Sequence, residues 1–154
     1  MGKISIIFNA DTRPVCSEFQ GLHKGVRSRD FIGRASLLNK RTFFREFDTE
    51  LIAFIDEHEP LTHEQYDTLH ELCDCVVVRK HSRHYRGWEP FGPFNDINYL
   101  QALSMARGEF VAHFDQDMAA FAFDRCPVVW MVDEVASGRH KFVCYPSPPD
   151  RDWE

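Results

Sequence analysis

The chain has 154 residues, 44% hydrophobic and 27% charged, which is the size and balance of one globular domain with a sizeable core. Its formal charge of -6 argues against general affinity for nucleic acid or anionic membranes, whose phosphates attract basic surfaces. No apolar run approaches the roughly 20 residues that span a bilayer, and Ile4–Phe8 behind Met1-Gly2-Lys3 is too short for a secretory signal, so a cytoplasmic protein without a transmembrane segment is expected.

Ile4-Ser5-Ile6-Ile7-Phe8 has the pattern of a buried first strand. Asn9 to about Gly33 holds Pro14, Gly21, Gly25 and Gly33 among many charges and reads as a long connection. Leu37, Leu38, Phe43, Phe44 and Phe47 suggest a helix with a broad buried face. Leu51 to Ile55 is a second buried strand, with acidic Asp56 and Glu57 at its carboxyl end. Thr62 and Gln65 form a capping box that starts a helix at His63, with Leu61 placed to staple onto Tyr66. Cys73 to Val78 is the third strand, and Arg79 to Pro93 a second long connection.

A third helix carries Tyr99, Leu100, Leu103 and Ala106 on one face, with Gly108 placed to end it in the left-handed conformation. Glu109 to Phe114 is the fourth strand and runs into Asp115-Gln116-Asp117. Asp124 and Pro127 open a fourth helix that stops near Gly138, and Lys141 to Tyr145 is read as a fifth strand. The alternation of strand and helix calls for an α/β fold, a Rossmann-like, mostly parallel sheet with helices on both faces, over residues 1–145, followed by a tail at 146–154.

Cys16, Cys73, Cys75, Cys126 and Cys144 are odd in number and lack a C-x-x-C spacing, so reduced structural thiols are expected. Ligands of an open parallel sheet collect beyond the carboxyl ends of its strands, where Asp11, Asp56, Asp115 and Asp117 fall. Two aspartates one residue apart can offer hard oxygens to Mg²⁺ or Mn²⁺, which can neutralise a diphosphate leaving group; on spacing alone a solvated turn or a helix cap is the commoner reading of such a triplet.

Asn98 to Asp117, a helix ending in Ala106-Arg107-Gly108-Glu109, an apolar strand and then Asp-x-Asp, resembles the central segment of the GT-A glycosyltransferases, of a family-2-like kind. The similarity runs in order over most of Lys3 to Phe121 and is strongest in its final third. The resemblance implies the nucleotide-binding half of an enzyme that takes a nucleoside-diphosphate sugar, of the uridine type, as donor substrate for hexosyl transfer. Asp56 would then hydrogen-bond the base, flanked by Asn9, Ala10 and Asp11. Asp115, followed by Gln116, would lie against the ribose and metal, and Asp117 would bind the metal that bridges the diphosphate. Ala10 stands where members often carry an aromatic residue, and Ile97 where a basic one often precedes the asparagine.

Arg79, Lys80, Arg83 and Arg86, with His81 and His84, form either a phosphate grip or a solvated basic loop. His113 is expected to be a satisfied core or sheet-face histidine. Trp88, Phe91 and Phe94 either pin their loop to the core or present a sugar- or base-facing platform, and Asp11 and Glu57 are further acidic candidates beside the site. Only 37 residues follow Asp117, so the acceptor half is expected to be missing and no general base is assigned. A shortened chain, completion by homo-oligomerisation, and nucleotide binding without transfer all stay open. A nucleotidyltransferase is the further alternative, disfavoured because Asn9-Ala10-Asp11-Thr12-Arg13 lacks a glycine cluster.

Overall fold

The computed structural model describes residues 2–12, 32–80, 100–115 and 127–141. The chain forms two compact units, Met1–Phe121 and Ala122–Glu154. In the first, β1 (Ile4–Asp11), β2 (Thr49–Glu57), β3 (Cys75–Lys80) and β4 (Phe110–Asp115) make a four-stranded sheet in the order β3-β2-β1-β4. All three pairings are parallel. Helices α1 (Arg34–Phe43) and α2 (His63–Leu72) and a helical segment at residues 100–105, termed α3, complete the described part of this unit.

Side chains alternate across a strand, and the register therefore sorts the sheet into two faces. Ile6, Phe8, Ala10, Leu51, Ala53, Ile55, Ala112 and Phe114 share one face. Helix α1 lies on it, since Lys40 reaches the rings of Phe8 and Phe114. Phe44, just past the helix, meets Phe114 edge-on at 5.7 Å between centroids. On the opposite face Ile7 and Phe54 pack with Ala102 of α3, joined by Val77 and Leu103. Both faces of the sheet are thus covered, as the near-continuous apolar runs of β1 and β2 require.

Several boundaries differ from the expectation, each for a local reason. In α3 Ala102 is fully buried and Leu103 packs against the core, whereas Leu100 is 64% exposed, so the buried stripe is rotated from the expected one, of which Tyr99 lies outside the described residues. The third strand starts at Cys75 rather than Cys73. Cys73 N–H is still bonded to Leu69 C=O, and Asp74 exchanges bonds with Leu51 through its own N–H and its carboxylate, both at 2.8 Å. Burial pushes the Cys73 thiol up to about 12, and Cys73 and Cys75 are both free thiols. The Thr62–Gln65 capping box forms as read, and Leu69 is the fully buried anchor of α2.

Gly108 is needed for close approach and not for a left-handed turn. A Cβ there would stand 2.5 Å from Ser5 N and 2.7 Å from Lys3 O, both backbone atoms. The space left open lets Gly108 N–H donate to Ser5 Oγ at 2.7 Å, while Ser5 Oγ donates to Glu50 Oε1 at 2.5 Å. Glu50 also accepts from Arg107 N–H at 2.6 Å and pairs with Lys3 Nζ at 3.5 Å. This buried network ties β1, β2 and the α3–β4 turn at the amino end of the sheet.

In the second unit α4 (Pro127–Ala136) begins on a proline, which has no N–H to leave unpaired, and ends at Gly138 with φ 73°. Gly138 N–H bonds Val135 C=O at 3.0 Å. The expected fifth strand, apart from Lys141, and the tail lie outside the described residues. Among the described residues no helix is long and apolar enough to cross a membrane.

Burial by itself would raise the Glu50 carboxyl, but the Ser5 hydroxyl, the Arg107 N–H and the Lys3 ammonium hold it below its usual value near 4.5. A depressed carboxylate contributes stability that is complete above its unfolded pKa and is lost as pH falls through the lower folded value. Glu50→Gln is therefore expected to lose about 1–3 kcal/mol at pH 7, with the gap to wild type narrowing below about pH 4, as read from urea melts at each pH.

Candidate functional site at the carboxyl ends of the strands

The strand order places a topological switch point between β1 and β4. From β1 the chain moves outward through β2 to β3 and then returns to the far side of β1. In doubly wound sheets the crevice at such a point, beyond the carboxyl ends of the two strands, is where ligands bind. Here Asn9 and Asp115, which are Cα partners, stand on the two strands that flank that point.

Asn9, Ala10 and Asp11 were expected in the loop after the first strand and are instead its last three residues. Pairing with β2 continues to the end, through Asn9–Phe54, Ala10–Ile55 and Asp11–Asp56. Adjacent parallel strands stand about 4.8 Å apart, so Asp11 and Asp56 are neighbours on the same face at the rim. Asp56 is only 4% exposed and Asp11 half-buried. The Ala10 methyl is buried on the opposite face, the one that carries Phe8.

A residue that the sequence reading passed over secures this rim. Thr12 is fully buried, and its Oγ1 accepts from His58 N–H and from Glu59 N–H, both at 2.8 Å, while donating to Glu59 C=O at 2.7 Å. Thr12 N–H adds a bond to Asp56 C=O at 3.0 Å. One hydroxyl thus fixes the exit of β1 to the turn after β2, and Asp11 and Asp56 are held between the tied points. A threonine directly behind a strand-terminal aspartate was the available signal, but its partners lie 46 and 47 positions away.

Glu57 serves the turn into α2. Its Oε1 accepts from Leu61 N–H at 3.0 Å and from Tyr66 Oη at 2.9 Å, and its Oε2 stands 3.9 Å from Lys80 Nζ. Burial, and then the Glu57 carboxylate, push the Tyr66 phenol up. Arg79 and Lys80, expected to open a basic loop, belong to β3 and are Cα partners of Asp56 and Glu57. His113 is an exposed sheet-face residue in register with Ile7.

Gln116, Asp117, His81, Arg83, His84, Arg86, Trp88, Phe91 and Phe94 lie outside the described residues. Among the described residues no three His, Cys, Asp or Glu side chains converge on one point that could hold a metal. The donor chemistry still suits a hard cation: Asp115 ends β4, Asp117 follows two residues later in sequence, and carboxylate oxygens are the ligands that Mg²⁺ and Mn²⁺ take. Comparison with protein-family models, curated proteins and solved structures finds no match, so the chain's own residues carry the functional reading.

Thr12→Val keeps the shape of the side chain and removes its hydroxyl, leaving two N–H groups and one carbonyl to find new partners. A loss of about 2–3 kcal/mol is expected from thermal or urea unfolding, with Thr12→Ser retaining most of the stability.

Proposed function

We propose that this chain is a metal-dependent glycosyltransferase domain that binds a nucleoside-diphosphate sugar and supports transfer of its hexosyl group to an acceptor. The observation that carries the reading is the position of Asp115. It ends the strand on the far side of the switch point, opposite Asn9, and is the first residue of Asp115-Gln116-Asp117. Asp11 and Asp56 on the neighbouring pair supply further carboxylates along the same rim.

The roles are those that the glycosyltransferase resemblance implies, and the chemistry of each group is compatible with its role. Asp56, as a carboxylate, accepts hydrogen bonds and so favours a base edge that offers an N–H, as uracil does at N3; that preference supports a UDP-sugar. Asn9, Ala10 and Asp11 form the end of β1 beside it, and Gln116, next to Asp115 in sequence, would lie toward the ribose. Asp115 and Asp117 would hold Mn²⁺ or Mg²⁺, which when bound supplies a Lewis acid that offsets negative charge on the departing diphosphate. The bond that breaks joins the anomeric carbon to the diphosphate oxygen, the new bond forms from an acceptor hydroxyl oxygen to that carbon, the nucleoside diphosphate leaves with the electron pair, and the hydroxyl proton passes to solvent.

Calorimetric titration with UDP tests this directly. Binding is expected in Mn²⁺, to be abolished by EDTA, and to weaken on the order of 100-fold or more in Asp117→Ala. Absence of heat with UDP and with the other nucleoside diphosphates, with or without metal, would leave Asp115-Gln116-Asp117 as a structural turn and overturn the reading.

A further inference from the structure

Helix α4 carries Val129, Trp130, Met131, Val132 and Val135, and none of these side chains is buried. A helix of 10 residues is marginal in water by itself and depends on covering its apolar side chains. Val129, Met131, Val132 and Val135 are half-buried, whereas Trp130 is 58% exposed. Trp130, Asp133 and Ser137 follow one another at the spacing of helical turns, so they share one stripe, and all three are exposed. Ser137 N–H bonds Asp133 C=O at 2.9 Å, which carries the helical turn through to the end of that stripe.

The charges on this exposed side are sorted. Asp133 stands one turn from Trp130, and Arg139, His140 and Lys141 follow the helix, all exposed. Glu134 takes up part of that positive charge, through Arg139 Nη2 at 2.6 Å and His140 Nε2 at 3.6 Å. Asp133 and Lys141 form no ion pair among the described residues. The stripe thus has an aromatic and acidic end and a basic end, with the short side chains of Ala136 and Ser137 between them. Such a surface is complementary to a copy of itself turned end for end, which is the condition for an isologous contact.

We propose that α4 is a self-association surface whose occupant is a second copy of this chain, the two helices running antiparallel about a two-fold axis near Ala136 and Ser137. The Trp130–Asp133 end of each copy then meets Arg139–Lys141 of the other, and the contact forms twice. The Lys141 ammonium of one copy sits between the Asp133 carboxylate and the Trp130 indole of the other, both of which attract a cation. Short side chains at the crossing let the helix axes approach closely. A helix of 10 residues covers less than the roughly 800 Å² per partner of a standard stable interface, so the dimer is weak, and its exposed charges make it sensitive to salt. Self-association of α4 is independent of the glycosyltransferase reading.

Sedimentation equilibrium on the full chain tests this. A monomer–dimer equilibrium is expected, with a Kd on the order of 100 µM at about 50 mM salt, weakened several-fold at about 500 mM. Asp133→Lys and Lys141→Glu, both at exposed positions, should each weaken it at least about tenfold, since like charges then meet at both contacts. Mixing the two variants should restore a dimer close to that of wild type, because both contacts are then between opposite charges, a result that only reciprocal pairing of two copies produces. Trp130→Ala should weaken the dimer roughly five- to tenfold, whereas Leu38→Ala, at an exposed leucine of the first unit, should leave it unchanged. A chain that stays monomeric up to about 500 µM, a dimer that tolerates both charge reversals, or variants that do not recover on mixing would each overturn the proposal.

Discussion

β1 is the constraint on which the rest of this structure depends. It is hydrogen-bonded to a strand on each side and covered on both faces, so its apolar residues have no route to water and its two pairings must be satisfied together. β2, β4, α1 and α3 take their places directly from it, while β3 and α2 follow through β2 and α1. β2 and β4 are set by its two edges, Lys40 of α1 reaches its Phe8, and α3 packs on its Ile7.

The two ends of β1 are fastened by different chemistry. At the amino end, Ser5 and Glu50 bind the backbone of Arg107 and Gly108, and the absence of a side chain at Gly108 lets that turn come close. The Ala106-Arg107-Gly108-Glu109 run thus has a structural role at the end of the sheet opposite its carboxyl rim. At the carboxyl end the fastening is a single threonine hydroxyl with three partners. Between these anchors the sheet is almost wholly apolar, and apart from Glu50 its acidic residues lie at the carboxyl rim, the end where ligands of parallel sheets bind.

The rim brings carboxylates together in an order that the chain does not show. Asp11 and Asp56 are 45 positions apart in sequence and neighbours in the sheet, while Asp115 reaches the other side of β1 only because β4 crosses back. Glu57, adjacent to Asp56 in sequence, points to the opposite face and is occupied by Leu61 and Tyr66. Alternation along one strand therefore separates a rim group from a turn-building group that looked equivalent.

The sequence by itself determined the existence and order of the described strands and helices, the capping box at Thr62, the proline-to-glycine span of α4 and the parallel character of the sheet. These follow from local signals: runs of β-branched and apolar residues, helical spacing, and capping chemistry within a few positions. Tertiary structure alone decided where strands stop, because pairing with β2 carries β1 through Asn9, Ala10 and Asp11 although the apolar run ends at Phe8. It also decided that Lys40 and Glu50 are buried while Leu100 is exposed. Lys40 does share the helical spacing of Leu37 and Phe44, yet a lysine is ordinarily solvent-facing. A buried polar group is tolerated only where partners from distant segments meet it, and those partners are fixed by the fold rather than by the residue's own neighbours.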